Sequence, residues 1–275
     1  MITTYQADSF PHASTDPGPA DLLIGREKLI ANVANYIQNG RSVLVVGAAG
    51  MGKTAILQAV AQRLLQPGTS RTVLYCGEAT KLRKTLQLLA EGLYDRRGAR
   101  PTVTTGARVV SRRRMARLPI RILRRFVLRY LKAGQFAVLL DHLKLVRGTY
   151  ASFVDQLVED VGVPIVAAAC SLSPDETGRL WWVGWNFTVI EVTPLSRKDA
   201  RRLIEHCLDR AHIDLPDRQD FASGVTKRAG GNPRIIVRLC QMASAPQYQV
   251  NGRTDLRLLW LDWKILNLRL GESPN

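Results

Sequence analysis

The sequence predicts an α/β fold in which a parallel sheet is flanked by helices and followed by a small C-terminal helical lid. Three features predict it. Short apolar runs alternate with segments of helical periodicity between residues 42 and 193, a pattern typical of right-handed strand–helix–strand crossovers. A glycine-rich turn lies between the first apolar run and the helix that follows it. From residue 196 to residue 243 the apolar periodicity is helical throughout.

The composition is that of a globular protein. The chain has 275 residues, of which 46% are hydrophobic, enough for one large domain with a small appendage. No apolar run reaches the roughly 18 residues of a membrane span, and residues 1–19 lack the layout of a signal peptide. We therefore expect a cytoplasmic protein whose four separated cysteines are reduced core residues.

The net charge is strongly basic, at +16 from 39 Lys and Arg against 23 Asp and Glu. Such an excess favours association with nucleic acid or another polyanion. A solubilising surface or an acidic protein partner is the alternative. The composition alone leaves both open.

Order is predicted to begin after the first 20 residues. Residues 1–20 contain three prolines and few apolar residues, so we predict a disordered tail. A helical pattern through Leu29, Ile30, Val33 and Ile37 then ends at Asn39-Gly40, a typical stop signal.

The glycine-rich turn matches the pattern G-x-x-x-x-G-K-[ST] of a phosphate-binding loop. An apolar strand over residues 42–46 precedes it and a helical pattern over residues 55–65 follows it, as this chemistry requires. Glycines let several backbone N–H groups turn toward phosphate oxygens at a helix N-terminus. Lys53 is expected to reach the outer phosphates of a nucleotide, and Thr54 to hold Mg²⁺. The loop consists of Gly47, Ala48, Ala49, Gly50, Met51, Gly52, Lys53 and Thr54.

A strongly basic segment follows a second predicted strand (residues 72–76) and helix (residues 79–93). Between Arg96 and Leu140 there are thirteen Lys or Arg and no Asp or Glu. Residues 119–132 predict a helix with one apolar face, packed on the sheet, and one basic face. A solvated face normally mixes both signs of charge, so DNA or another polyanion is the predicted partner of the segment 96–132. The basic face consists of Arg121, Arg124, Arg125, Arg129 and Lys132.

Polar residues end the next two predicted strands. The strand over residues 136–140 is followed by Asp141, in the place where P-loop enzymes keep a carboxylate for the water shell of Mg²⁺. We predict that role for Asp141 in preference to an incidental strand end. The strand over residues 164–171 ends in Ser171, for which contact with the terminal phosphate and formation of a turn both stay open.

The sheet is predicted to end with a strand over residues 187–192, which completes an α/β domain of residues 21–193. Ser196 and Asp199 resemble a capping box that opens a helix to residue 211. Further helices over residues 217–228 and 235–242 complete a predicted lid of residues 194–245. Residues 246–275 are expected to form a cap or extension, as a hairpin around Asn251-Gly252 or an irregular segment.

Five short motifs follow one another along the chain. They are Ile24-Gly25-Arg26-Glu27, the phosphate-binding loop, Leu140-Asp141, Pro194-Leu195-Ser196 and Gly231-Asn232-Pro233-Arg234. In kind and order they resemble the motifs of AAA+ ATPases of the replication-initiator and transposition-regulator type, and of the allied STAND signalling ATPases. The resemblance covers residues 21–243. It implies a P-loop NTPase fold that binds ATP and Mg²⁺ and tends to oligomerise.

The resemblance also implies roles for single residues. Ile24, Gly25 and Arg26 would line the adenine pocket. Pro233 and Arg234 would bring the lid over the nucleotide, with Arg234 contacting the γ-phosphate as the second sensor arginine.

The residue after Asp141 departs from this pattern. His142 stands where hydrolytic relatives usually have Glu to polarise the attacking water. Histidine can act as a base near neutral pH, but a site for Mg²⁺ favours anions, which makes histidine a poorer candidate than Glu. The catalytic set of Lys53, Asp141 and His142 is therefore expected to hydrolyse ATP slowly, or to serve a switch without efficient hydrolysis.

Two functions are consistent with these features. The first is an ATP-binding AAA+-like module, a slow Mg²⁺-dependent ATPase, whose nucleotide state controls assembly on DNA or with a partner protein. The second is a STAND-like signalling switch that acts through protein–protein interaction without nucleic acid.

Overall fold

The computed structural model divides the chain into two compact units. The described residues are 23–66, 71–97, 102–103, 108–109, 115, 117–144, 146–179, 186–250 and 253–269. Among them, the first unit contains residues 28–48 and 56–192, and the second contains residues 23–27, 49–55 and those from 193 onward. The predicted tail of residues 1–20 lies outside the described residues, as does most of the basic segment before residue 117.

The first unit is built on a five-stranded parallel sheet, as the sequence predicted. The strands are β1 (Ser42–Val46), β2 (Thr72–Cys76), β3 (Phe136–Leu140), β4 (Ile165–Ala169) and β5 (Phe187–Glu191). The strand order is β2-β3-β4-β1-β5, and every neighbouring pair is parallel. Three central strands, β1, β3 and β4, are buried over their whole length, which is why they read as continuous apolar runs.

Separate from this sheet, the two-residue strands Thr102–Val103 and Arg108–Val109 pair antiparallel.

Helices flank the sheet of the first unit, and further helices form the second unit. Among the described residues the helices are α1 (Glu27–Gln38), α2 (Lys53–Leu64), α3 (Leu82–Arg97), α4 (Ile120–Lys132), α5 (Gly148–Glu159), α6 (Pro174–Thr177), α7 (Arg197–Arg210), α8 (Arg218–Ala229), α9 (Pro233–Ala243) and α10 (Leu256–Arg269).

Helix α4 has the two faces that its sequence predicted. Leu123, Phe126, Val127 and Leu131 are buried in the core that α3, α4 and α5 share with one face of the sheet. A helix with such a stripe gains most of its stability from packing its apolar face. The basic residues of α4 are thereby directed away from the core.

The second unit packs α7, α8, α9 and α10 around its own apolar core. Ser196 caps α7, since its side chain accepts a 3.1 Å hydrogen bond from the Asp199 N–H. The Ser196 hydroxyl in turn donates a 2.7 Å hydrogen bond to Oδ2 of Asp199. The predicted start of this helix is therefore confirmed.

The C-terminal segment differs from the prediction of a hairpin or irregular cap. Two-residue strands, Gln249–Val250 and Arg253–Thr254, do pair antiparallel, but α10 follows them. The apolar residues of this helix lie on all of its sides, so its sequence does not show a clear apolar period of 3.6 residues. Asp255 was the available signal, because its Oδ1 accepts the N–H groups of Arg257 and Leu258 at 2.9 and 3.1 Å and caps α10.

The four cysteines are free thiols, but they are not equally buried. Cys76 and Cys240 are buried, whereas Cys170 and Cys207 are half-buried. Burial raises the pKa of the Cys76 thiol to about 12. Within the described ranges, no helix combines the length and the apolar character needed to cross a membrane.

Candidate nucleotide-binding site and basic face

The carboxyl ends of β1, β3 and β4 bring three predicted site residues to one edge of the sheet. Val46 pairs with Ala169 and Leu140 with Ala167, so Gly47, Asp141 and Ser171 each follow a neighbouring strand. Gly47 remains tied to the sheet, since its N–H donates to the Ala169 carbonyl at 3.3 Å. Ligand sites of open α/β sheets lie at this edge.

Asp141 is a buried carboxylate, 1% exposed, that is held on both oxygens. Its Oδ1 accepts the backbone N–H of His142 at 2.8 Å, and its Oδ2 accepts the hydroxyl of Tyr75 at 3.0 Å. A carboxylate oxygen accepts more than one hydrogen bond, so each keeps capacity for a water molecule. A carboxylate and the Thr54 hydroxyl are oxygen donors of the kind that Mg²⁺ prefers, and these residues fit that ion chemically.

His142 adopts a left-handed backbone conformation with φ of 57°. Its side chain is 54% exposed, and its Nε2 lies 3.7 Å from Oδ2 of Asp141. Such a φ is uncommon for residues other than glycine, and histidine is among those that adopt it more often. The backbone thus turns sharply at the position where an acid was expected.

Ser171 takes part in a local turn. Its Oγ accepts the N–H of Ser173 at 3.1 Å and donates to the Ser173 hydroxyl at 3.1 Å. These contacts match one of the two interpretations that the sequence left open, a turn-forming serine. Contact between Ser171 and a phosphate stays a prediction.

The phosphate-binding loop is contacted by the lid within the second unit, to which residues 49–55 and 193–275 both belong. The Asn232 side-chain amide donates to the Ala49 carbonyl at 3.0 Å, and the Arg234 N–H donates to the Gly50 carbonyl at 3.3 Å. Two motifs more than 180 residues apart in sequence therefore meet.

The loop residues differ in exposure along their length. Gly47 is buried, Ala48 and Ala49 are exposed, and residues 50–54 are half-buried. Lys53 and Thr54 are the first two residues of α2, where the helix N-terminus favours an anion. On the lid, Pro233 is buried and Arg234 is exposed.

The Ile24-Gly25-Arg26 box is fixed to the start of the lid. Arg26 is 5% exposed and donates from Nη2 to the Thr193 carbonyl at 2.5 Å. Burial lowers the pKa of its guanidinium, and the charge of Asp199 opposes that shift. Gly25 approaches Asp199 so closely that a Cβ would lie 2.7 Å from the carboxyl carbon. These contacts give Arg26 a structural role, and contact between the box and adenine stays a prediction.

The basic face of α4 is a row of exposed cations. Arg121, Arg125, Arg129 and Lys132 are exposed, and none forms an ion pair or side-chain hydrogen bond with any residue that the structure describes. Arg124 differs from this row. Its Nε donates to Oε1 of Gln156 at 3.1 Å, and its guanidinium lies 5.9 Å from the centre of the Phe153 ring, so it packs on α5.

Two residues at these sites were missed by reasoning from the sequence. Asn232 was noted only as part of a motif, although an Asn before a Pro at the first helical position is typical of a helix N-cap. Tyr75 gave no signal, because a tyrosine near the end of a strand is ordinary. Its contact with Asp141 depends on the pairing of β2 with β3.

Comparison with protein families finds one match. The model described as "AAA ATPase domain" matches residues 22–173, which include β1, the phosphate-binding loop and Asp141. A comparison with curated proteins finds no match.

Solved structures share the fold at low sequence identity. The Orc1 protein of Aeropyrum pernix in complex with DNA is 16% identical, with a TM-score of 0.61 over 93% of this chain and 71% of that one. The RuvB Holliday junction branch migration motor of Thermotoga maritima is 15% identical, with a TM-score of 0.53 over 92% and 73%. AMPPCP-bound DnaA of Aquifex aeolicus is 14% identical, with a TM-score of 0.52 over 88% and 64%. The chain thus spans less than two thirds of that DnaA chain.

Proposed function

The chain belongs to the AAA ATPase domain family, and from that premise we propose an ATP-binding module, a slow Mg²⁺-dependent ATPase, whose nucleotide state controls assembly on DNA. One observation supports it most directly. A phosphate-binding loop follows the buried strand β1, and the sheet holds the buried carboxylate of Asp141 at the end of β3 with both oxygens hydrogen-bonded.

Each residue of the site has a proposed task. The loop N–H groups and Lys53 bind the phosphates, and Asp141 would bind the water shell of Mg²⁺. Thr54 and Asp141 would hold Mg²⁺, which would supply neutralisation of the charge that develops on the phosphates. Ile24, Gly25 and Arg26 contact the base, while Ser171, Pro233 and Arg234 contact the phosphates or close over the nucleotide.

The proposed ATPase is slow because of His142. A site for Mg²⁺ and its phosphates favours anionic groups, and His142 places an imidazole where relatives that hydrolyse ATP carry the carboxylate of Glu, so we expect it to polarise the attacking water poorly. The rate of this slow hydrolysis then sets how long the lid stays closed over the nucleotide. The protein acts as a switch more than as a motor.

The exposed row of α4 is the proposed DNA contact. Arg121, Arg125 and Arg129 recur every fourth residue, so they are about 6 Å apart along the helix axis. A row of exposed positive charges on one side of a helix can contact the phosphate backbone of DNA. Contacts of this type position a protein on DNA without specifying sequence.

The test is a mobility-shift assay with duplex DNA, with and without ATP, at low and high salt. We expect the protein to bind DNA at low salt with ATP. The affinity should fall steeply as the salt concentration rises, because phosphate contacts release counterions. No shift at low salt with ATP would overturn the DNA part of the proposal. Oligomers that form with nucleotide and are unaffected by added DNA would instead support a STAND-like switch that acts through protein–protein interaction.

Nucleotide binding is tested separately with Lys53→Ala. This variant is expected to lose ATP affinity and to keep its circular dichroism spectrum and unfolding midpoint. Unchanged affinity would refute the assignment of the loop.

A further inference from the structure

We propose that Asn232 is a positioning residue through which the lid presets the phosphate-binding loop for nucleotide. The inference rests on the proposed nucleotide binding and adds a mechanism to it. Its basis is the pair of hydrogen bonds by which the lid holds two successive loop carbonyls, those of Ala49 and Gly50.

Holding a carbonyl also aims an N–H group. A trans peptide is planar, and its C=O and N–H point in opposite directions. The Ala49 carbonyl shares its peptide with the Gly50 N–H, and the Gly50 carbonyl shares its peptide with the Met51 N–H. With both carbonyls directed at the lid, the N–H groups of Gly50 and Met51 point away from it, and these are loop donors available to a phosphate.

The Asn232 amide is itself fixed by the helix that it caps. Its Oδ1 accepts the N–H groups of Arg234 at 3.1 Å and Ile235 at 3.4 Å, and the Arg234 N–H is shared between this oxygen and the Gly50 carbonyl. Pro233 has no N–H and does not compete. Because the cap requires an acceptor, the donor end of the amide must face the other way, toward the Ala49 carbonyl. One side chain therefore ties the start of α9 to the loop.

Gly50 permits this close approach. Its φ is 80°, and a Cβ there would lie 2.6 Å from Oδ1 of Asn232 and 3.0 Å from Cβ of Arg234. Only glycine adopts that φ without strain and leaves room for the capping amide. The loop sequence and the lid sequence are thus matched at this point.

Coupling between lid and nucleotide follows by linkage. A phosphate that binds the Gly50 and Met51 N–H groups favours the loop conformation that Asn232 also favours. Each contact must then strengthen the other by the same factor. Loss of the phosphate weakens the hold of the loop on the lid.

Asn232→Ser separates this task from capping. Serine is as good a helix N-cap as asparagine, is neutral, and is too short to reach the Ala49 carbonyl. Asn232→Thr is the second variant, with the same expectation, should the serine variant fold poorly. Asp255→Ala is the matched control, since it removes the cap of α10 in the same unit.

ATP affinity is measured by calorimetry on the full chain in the presence of Mg²⁺. Loss of one neutral hydrogen bond predicts a roughly three- to tenfold weaker affinity for Asn232→Ser, and an unchanged affinity for Asp255→Ala. Equal affinities for the wild type and Asn232→Ser would overturn the inference and leave the proposed function standing. A wild-type protein that binds no ATP would overturn both.

Hydrogen–deuterium exchange on nucleotide-free protein gives a second readout. Peptides that cover residues 47–55 are expected to exchange faster in Asn232→Ser than in the wild type or Asp255→Ala. A cap lost at α9 would instead raise exchange within residues 233–237. Unchanged exchange over residues 47–55 in Asn232→Ser contradicts a preset loop.

Discussion

Tyr75 donates a 3.0 Å hydrogen bond from its hydroxyl to Oδ2 of Asp141, across the ends of the paired strands β2 and β3. The other carboxylate oxygen accepts the His142 N–H at 2.8 Å. Asp141 is therefore oriented by the sheet and by its own turn before any ligand binds. Partners of this kind orient metal ligands and tune their affinity in other sites.

Tyr75→Phe is expected to raise the Mg²⁺ concentration that supports ATP binding by roughly three- to tenfold, because Asp141 loses one of its two orienting bonds. The measurement is ATP affinity titrated against Mg²⁺. Tyr150→Phe is the control, because the Tyr150 hydroxyl is also buried in the first unit but donates to the Ala79 carbonyl at 3.0 Å. An equal shift in both variants would contradict a specific role for Tyr75.

Local patterns in the sequence predict most of this fold and part of the site. Continuous apolar runs mark β1, β3 and β4, and the phosphate-binding loop follows from residue types at fixed spacing. Contacts that join distant segments leave no such pattern. The amide of Asn232 meets Ala49, and Tyr75 meets Asp141, only after strands have paired and the lid has packed. Helix α10 was not predicted because its apolar residues lie on all of its sides and give no helical period.

His142→Ala is expected to leave ATP turnover within about threefold of the wild type, since the side chain is 54% exposed and a positioned general base contributes about a hundredfold or more. His142→Glu is expected to raise turnover by restoring the acid. A single-turnover assay with radiolabelled ATP measures both. A hundredfold loss in His142→Ala would show that the imidazole is the base.

The glutamate variant needs a control for strain. His142 has a φ of 57° and His212 a φ of 52°, and glutamate is less tolerant of this region, at a cost of up to about 1 kcal/mol. His212→Glu, in the second unit, places the same change away from Asp141. Urea unfolding should show similar destabilisation in both variants, with altered turnover only in His142→Glu.

Gly50→Ala is expected to weaken ATP binding at least tenfold, because a Cβ would lie 2.6 Å from Oδ1 of Asn232 and displace the loop or the cap. Calorimetry with ATP measures the effect. Gly162→Ala is the matched control. Gly162 also has a positive φ, 69°, but a Cβ added there would have no other atom within 4 Å. Both variants should lose about 1 kcal/mol of stability from backbone strain. Gly50→Ala should lose more because its Cβ displaces its neighbours, and only this variant should lose ATP affinity.

Arg125→Gln is expected to weaken DNA binding at all sequences and to reduce the slope of log K against log salt by about 0.9, because one phosphate contact is lost. Filter binding from 50 to 200 mM salt, a range of about 0.6 log units, resolves such a change. The measurement uses the full chain with ATP and Mg²⁺. The same result is expected for Arg121→Gln and Arg129→Gln, which lie on the same exposed row.

Arg124→Gln distinguishes a phosphate-binding row from a general effect of charge. Arg124 is next to Arg125 in sequence, and its substitution by Gln removes the same charge. Its guanidinium, however, donates to Gln156 and lies against the Phe153 ring of α5. We expect its slope to stay close to that of the wild type, with a small loss of stability from the broken packing. If Arg124→Gln and Arg125→Gln lowered the slope equally, DNA would be responding to the net charge of the protein, and the exposed row of α4 would not be its contact.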